Sequence, residues 1–343
     1  MSDEVLERYI IQHIEASTDK VIMFSWHGGE PALAGTDFYR QALKFQKKYQ
    51  PAGCKLINGI QTNGTLLDDD WCKFLSDNNF LVGISIDGPE EFHDKHRKGS
   101  DRKSSFTRVM KGYELLKKYK ITSEILCVLN SYNSLHPDKI YGFFKGLAAE
   151  YITFLPLVER MADSPHGVSL ASVVPSVYGN FLIKVFDDWV ANDIGKVRIQ
   201  LFEESARTAF RQEHALCVLK VTCGGVPVIE HNGDFYPCDH FVDRENLVGN
   251  INVTPLADLL DSPVQKAFGE AKQATLPRYC RECEVLEMCN GECPKNRFTM
   301  TPDGEPGLNY LCPGYKLFFN HCKPFVEALR LAWHNQQPAT SNQ

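Results

Sequence analysis

The chain has 343 residues, 43% of them apolar and 23% charged, enough to bury one large core or two smaller ones and too ordinary for a disordered or membrane protein. A formal charge of -6, with lysine and arginine dispersed along the chain, leaves no basic footprint for nucleic acid. No stretch reaches the ~18 apolar residues of a spanning helix, and the N-terminus is an acidic amphipathic segment unlike a signal peptide, so a cytoplasmic protein without nucleic-acid or membrane partners is expected.

The opening segment MSDEVLERYIIQHIEAS sets Leu6, Tyr9, Ile10, His13 and Ile14 on one helical face. From Val21 to about Pro156, apolar runs then alternate with amphipathic segments. The runs VIMFSW, KLINGIQT, FLVGISID, ITSEILCVLN and YITFLPL are rich in β-branched and aromatic residues and predict buried strands. Between them Phe38, Ala42, Phe45 and Tyr49, and later Phe106, Val109, Met110 and Tyr113, recur at helical spacing. This alternation predicts βα units around a parallel sheet or barrel. HGGEP, QTNG and DGP follow the first three runs and should share the face made by the C-terminal ends of the strands. A helix ahead of the first strand is an oddity, because a βα barrel opens with a strand.

A further helical block, from about Val174 to Asn192, leads to a boundary between Arg198 and Leu216. The expected domains are 1–205 and 206–330, with a disordered tail over 331–343. Nine of the twelve cysteines lie between Cys217 and Cys322. In a reducing cytosol, spacing as tight as C-x2-C points to metal or redox use, not a disulfide framework. Eight of the nine divide into two sets of four, the ligand count of a tetrahedral thiolate site, and both zinc and iron-sulfur clusters fit. The Cys293-Pro294 pair, like the end of a bacterial ferredoxin run, tilts the reading toward iron and sulfide. Cys54, Cys72 and Cys127 sit among apolar neighbours and read as small buried hydrophobes.

Taken together, HGGEP (His27 to Pro31), QTNG (Gln61 to Gly64), SIDGP (Ser85 to Pro89), C-x5-C-x14-C from Cys217 and C-x2-C-x5-C-x3-C from Cys280, followed by Cys312, resemble the anaerobic sulfatase-maturating enzymes. These are radical S-adenosylmethionine (SAM) proteins with a C-terminal SPASM domain carrying two auxiliary [4Fe-4S] clusters. The resemblance implies an α/β fold: a partial (β/α)6 radical SAM barrel lacking its first strand, plus a small cysteine-rich α+β domain. It implies that Cys217, Cys223, Cys238 and Cys293 hold the first auxiliary cluster, and Cys280, Cys283, Cys289 and Cys312 the second. Cys322 is left over, either free or competing with Cys312.

By the same resemblance Gly28, Gly29, Glu30 and Pro31 lie against the methionine moiety of SAM, with Glu30 receiving its ammonium, while Ser85 and Arg97 hold the other end. The bland reading of Gly28 and Gly29 is an ordinary strand-to-helix turn. Asp239, after Cys238 in YPCDH, matches the family's general base, with His240 a second candidate. Its bland reading is a surface aspartate beyond the hairpin-like HNGD. The implied activity is oxidation of a serine or cysteine of an unfolded sulfatase segment to Cα-formylglycine, with ferredoxin or flavodoxin as electron donor. The alternatives are maturation of another peptide, or a truncated, non-catalytic iron-sulfur protein.

The last alternative arises because a radical SAM cluster needs a C-x3-C-x2-C loop and the 343 residues contain none. With no strand ahead of the first helix, about forty residues present in family members are expected to be lacking, roughly one βα unit. As written, the chain is expected not to cleave SAM reductively, and to fold with an apolar, aggregation-prone VIMFSW edge.

Overall fold

The computed structural model describes residues 1–99, 102–161, 163–164 and 167–336. Six parallel strands in sequential order make the main sheet: β1 (Val21–Trp26), β2 (Lys55–Thr62), β3 (Leu81–Ser85), β4 (Ser123–Leu129), β5 (Tyr151–Pro156) and β6 (Arg198–Ile199). Helix α1 (Asp3–Ala16) precedes it; α2 (Gly35–Tyr49), α3 (Asp69–Asp77), α4 (Glu90–His96), α5 (Phe106–Lys118), α6 (Pro137–Gly146), α7 (Pro175–Asn192) and α8 (Gln200–Arg207) connect or follow its strands. The cysteine-rich part adds a three-stranded sheet, β7 (Val228–Ile229), β8 (Asp234–Tyr236) and β9 (Gly249–Asn250). After it come α9 (Leu256–Leu260), α10 (Pro263–Ala274), α11 (Arg278–Arg281), α12 (Leu286–Cys289), the pair β10 (Thr299–Met300) and β11 (Pro306–Leu308), and the long α13 (Cys312–Gln336).

By its internal contacts the chain divides into two compact units, neither a continuous segment. The first joins residues 1–86, 90–126 and 223–270; the second joins 87–89, 127–222 and the chain from Ala271 on. Residues 223–270 thus group with the first strands, across the boundary expected at 205/206.

In the first unit α1 starts at a Ser2 cap, with Asp3 and Glu4 favourably placed against the helix dipole. Its apolar stripe, Leu6, Ile10 and Ile14, is buried. This helix is anchored from two sides. Tyr9 meets Phe24 and Trp26 edge-on, and the His13 ring bonds the Met23 carbonyl at 2.9 Å. Val5, Tyr9 and Ala16 pack on Phe235, Ile251, Leu256 and Leu259 of the cysteine-rich part. Gln12 there donates to the Ile251 carbonyl at 3.0 Å and accepts from the Leu256 N–H at 2.6 Å. A helix with no strand before it therefore has a partner after all.

The expectation of a buried strand holds for one face of β1 only. Ile22, Phe24 and Trp26 are buried, but Val21 and Met23 are 52% and 46% exposed, because β1 lies at the end of the sheet. The stripe of α2 is Tyr39, Ala42, Phe45 and Gln46; Gln46 belongs to it because it exchanges two hydrogen bonds with buried Asn58 of β2. Cys72 and Cys127 are fully buried as expected, whereas Cys54 is only half-buried.

In the second unit α7 and α13 cross at a pair of glycines. A Cβ on Gly179 would stand 2.6 Å from the Gly314 carbonyl, and one on Gly314 would strike the Pro175 carbonyl. Backbone cannot yield as a side chain does, so Gly179→Ala should destabilise by about 1–3 kcal/mol, read as a lower urea midpoint at unchanged slope. An unchanged midpoint would show that the helices slide apart freely. The expected tail is corrected over 331–336, which is the end of α13; 337–343 lie outside the described residues.

Candidate active site and cysteine centre

The loops HGGEP, TNG and the end of β3 all follow parallel strands, so they emerge on one face of the sheet. Gly28 has φ 145°, a conformation that favours glycine, and a Cβ on Gly28 or Gly29 would meet nothing within 4 Å. The backbone here borders open space.

Glu30 is held on this face by three hydrogen bonds. Its Oε1 accepts from the Ala32 N–H at 3.0 Å and from the Thr62 hydroxyl at 2.6 Å, and its Oε2 accepts from the Asn63 N–H at 2.8 Å. The Thr62 hydroxyl in turn accepts from the Gly64 N–H at 3.1 Å. Three of about four lone-pair positions are filled, which stitches the β1 loop to the β2 loop and leaves one for a further donor. Tyr39 donates to the Pro31 carbonyl at 2.9 Å, and burial, then the Glu30 charge, raise its phenol above the usual range. The motif pointed to Glu30, but its Thr62 and Asn63 partners are visible only in the fold.

Ser85 is the last residue of β3. Arg97 follows α4, with its N–H on the His93 carbonyl at 2.9 Å and its own carbonyl accepting from the Ser105 hydroxyl at 2.6 Å. That hydroxyl lies 3.1 Å from Nε2 of fully buried His93, so the backbone carrying the guanidinium is fixed. Asp239 is exposed in a short turn after β8, and the Cys238 thiol donates to it at 3.2 Å. The ligand atoms of Cys238, Asp239 and His240 lie within 4.8 Å of one another.

The eight clustered cysteines fall differently in the two units. Cys223, whose N–H bonds the Gly269 carbonyl at 3.1 Å, and Cys238 belong to the first. The second unit contains Cys217 in a 3-10 turn and the buried Cys293. It also gathers Cys280, Cys283, Cys289 and Cys312 around one apolar cavity, with Tyr279, Val285, Leu286, Gly291 and Lys316. Four thiols on one cavity supply the ligand count of an iron-sulfur cluster. Burial pushes each of them up, Cys312 to about 12, and neighbouring thiols raise Cys280, Cys289 and Cys312 further. A bound cation reverses this, since a coordinated thiol is deprotonated outright.

The chain separates Cys289 from Cys293 by three successive residues at positive φ, Asn290, Gly291 and Glu292. A Cβ on Gly291 would strike Leu276, so this reversal needs glycine at its centre. Lys316, missed by motif reading, reaches the same cavity from α13, 3.3 Å from Glu284 and 5.0 Å from the Tyr279 ring centroid.

Cys322 does not line the cavity. It lies ten residues beyond Cys312 on one helix, about 15 Å along the axis, with its thiol donating to the Phe319 carbonyl at 3.5 Å. The expectation that it might compete with Cys312 fails on that distance. Cys322→Ala should leave the iron content unchanged, and a loss of iron from that variant would reverse this conclusion.

The radical SAM superfamily pattern matches residues 1–139, and the SPASM iron-sulfur cluster-binding domain matches 223–284. Over 98% of its length the chain is 45% identical to the serine-type anaerobic sulfatase-maturating enzyme of Bacteroides thetaiotaomicron, covering 84% of it. It is 34% identical over 94% of its length to the cysteine-type anaerobic sulfatase-maturating enzyme of Clostridium perfringens, covering 87% of that protein. The solved structure of native anSMEcpe with bound AdoMet and Cp18Cys peptide matches at a TM-score of 0.89 and 32% identity, over 97% of this chain and 92% of that one.

Proposed function

Because the chain belongs to the anaerobic sulfatase-maturating enzymes, radical SAM proteins with a SPASM domain, we propose that its work is oxidation of a serine or cysteine side chain in an unfolded sulfatase segment to Cα-formylglycine. The observation that carries the reading is 45% identity over 98% of the chain. Among the described residues no helix is long and apolar enough to cross a membrane. A cytoplasmic setting with ferredoxin or flavodoxin as electron donor goes with the reading, as do a radical SAM domain over 1–205 and a SPASM domain over 206–330.

Each residue has a part in it. Gly28, Gly29 and Pro31 present open backbone to the methionine end of SAM, and Glu30, with one acceptor position left, takes its ammonium. Ser85 and Arg97 take the other end, where a guanidinium fork suits a carboxylate. Converting a side-chain alcohol to an aldehyde removes one hydrogen atom, one electron and one proton. Asp239 accepts the proton at its solvent-exposed carboxylate. The auxiliary clusters, when bound, supply electron transfer; Cys280, Cys283, Cys289 and Cys312 would hold one, and Cys217, Cys223, Cys238 and Cys293 the other.

The residues present do not fit the radical SAM cluster, since no C-x3-C-x2-C loop occurs among them. The 343-residue chain, given SAM and a strong reductant, should therefore release no 5'-deoxyadenosine; release at a catalytic rate would refute this. The reading as a whole is tested on protein purified without oxygen, by iron and sulfide content and by binding of SAM and of a serine- or cysteine-containing sulfatase peptide. About eight irons per chain with both ligands bound supports it. Zinc in place of iron would reduce the cysteine region to a structural staple.

A further inference from the structure

We propose that Glu204, Lys272 and His214 are positioning residues for Cys217, two buried ions of opposite sign gripping its turn while the imidazole ties that turn to the helix carrying Cys289. The proposal rests on the reading above that Cys217 is a cluster ligand. All the groups involved lie in the second unit.

The carboxylate grips the main chain ahead of Cys217. Glu204 of α8 is 3% exposed and accepts from the Ala215 and Leu216 N–H groups, each at 3.2 Å or less. Its Oε2 also bonds His214 Nδ1 at 2.9 Å, and Arg207 Nε lies 3.4 Å from Oε1. The ammonium grips the chain at and after Cys217. Lys272 of α10, fully buried, donates to the Cys217 carbonyl at 3.1 Å and the Val218 carbonyl at 2.8 Å. N–H groups on one side and carbonyls on the other are held by charges of complementary sign, which fixes the turn and hence the direction of the Cys217 sulfur.

Glutamate and lysine are almost never fully buried unless paired, and apolar residues would fix a loop without the cost of desolvating charge. Here both ions bond main chain within three residues of one cysteine. Outer partners of this kind orient metal ligands. The turn is also fastened at both ends to the segment that carries Cys289. His214 Nε2 bonds the Glu287 carbonyl at 2.9 Å, and Asn290 donates to the Leu219 carbonyl at 2.8 Å.

The test compares wild type, Cys217→Ala, Lys272→Met, Lys272→Arg and Glu204→Gln, all purified without oxygen. Iron, sulfide, the electron paramagnetic resonance spectrum of the reduced protein and the melting temperature are measured. Wild type should hold about eight irons, and Cys217→Ala about four. Lys272→Met and Glu204→Gln should match Cys217→Ala, keeping one cluster signal, while Lys272→Arg recovers toward wild type. Should Lys272→Met not fold, Glu204→Gln decides. Full iron and unchanged spectra in both variants would overturn the proposal, as would loss of all iron in both, which is what a general fold element produces. Cys217→Ala holding as much iron as wild type would instead sink the ligand assignment beneath it.

Discussion

Cys289→Ala is expected to strip about four irons from each chain and, in an otherwise competent enzyme, to abolish turnover. Cys280, Cys283, Cys289 and Cys312 are the four thiols on one apolar cavity, and three cannot complete a set of four. Cys280 also belongs to a small core with Leu276 and Leu308, against which Tyr279, Leu286 and Cys312 pack. Losing the cluster therefore loosens that core, and the melting temperature should fall with the iron. Cys322→Ala, on the same helix as Cys312 but remote from the cavity, is the control. Equal iron in wild type and Cys289→Ala would remove Cys289 from the ligand set.

Glu30→Gln should weaken SAM binding by about 10–100-fold, the range for losing one charge-assisted hydrogen bond. The substitution acts twice. It removes the negative charge proposed to receive the ammonium, and it turns one acceptor oxygen into a donor facing Thr62 or the Asn63 N–H, both of which donate to Glu30. The loop should lose its tie to β2 as well as its charge. Equilibrium dialysis with SAM, alongside circular dichroism to confirm folding, reads the effect; an unaltered dissociation constant would leave Glu30 a purely structural brace.

The strands β1 to β5 were legible because each is a local run of β-branched and aromatic residues, and the helices between them because their buried stripes recur within a few turns. β6 was not, since two residues carry no periodicity and Arg198–Ile199 pairs only because Tyr151–Ile152 lies beside it. VIMFSW was expected as a sheet edge, but which of its residues face outward, Val21 and Met23, is set by the packing on its other face. At the site, HGGEP, QTNG and the cysteine spacing announced themselves, whereas the tie from Thr62 to Glu30, and Lys316, Glu204 and Lys272, did not. A threonine or a lysine acquires its role from what it faces, and nothing in its immediate neighbours reveals that.

The sequence by itself therefore determined the αβ alternation, the strand-end loops, the crowding of nine cysteines from Cys217 on and, through resemblance, the family. These properties reside in short spans of chain, where residue type and spacing are the physics. Tertiary structure alone decided which groups meet: Gln12 with Leu256, the Glu30 carboxylate with Thr62 and Asn63, and Glu204 and Lys272 with the turn at Cys217. It also put Cys312 on the cavity and Cys322 about three helical turns away. Such pairings join residues up to 244 positions apart, and they depend on how buried surfaces and buried charges are jointly satisfied, a condition that no short stretch of sequence contains.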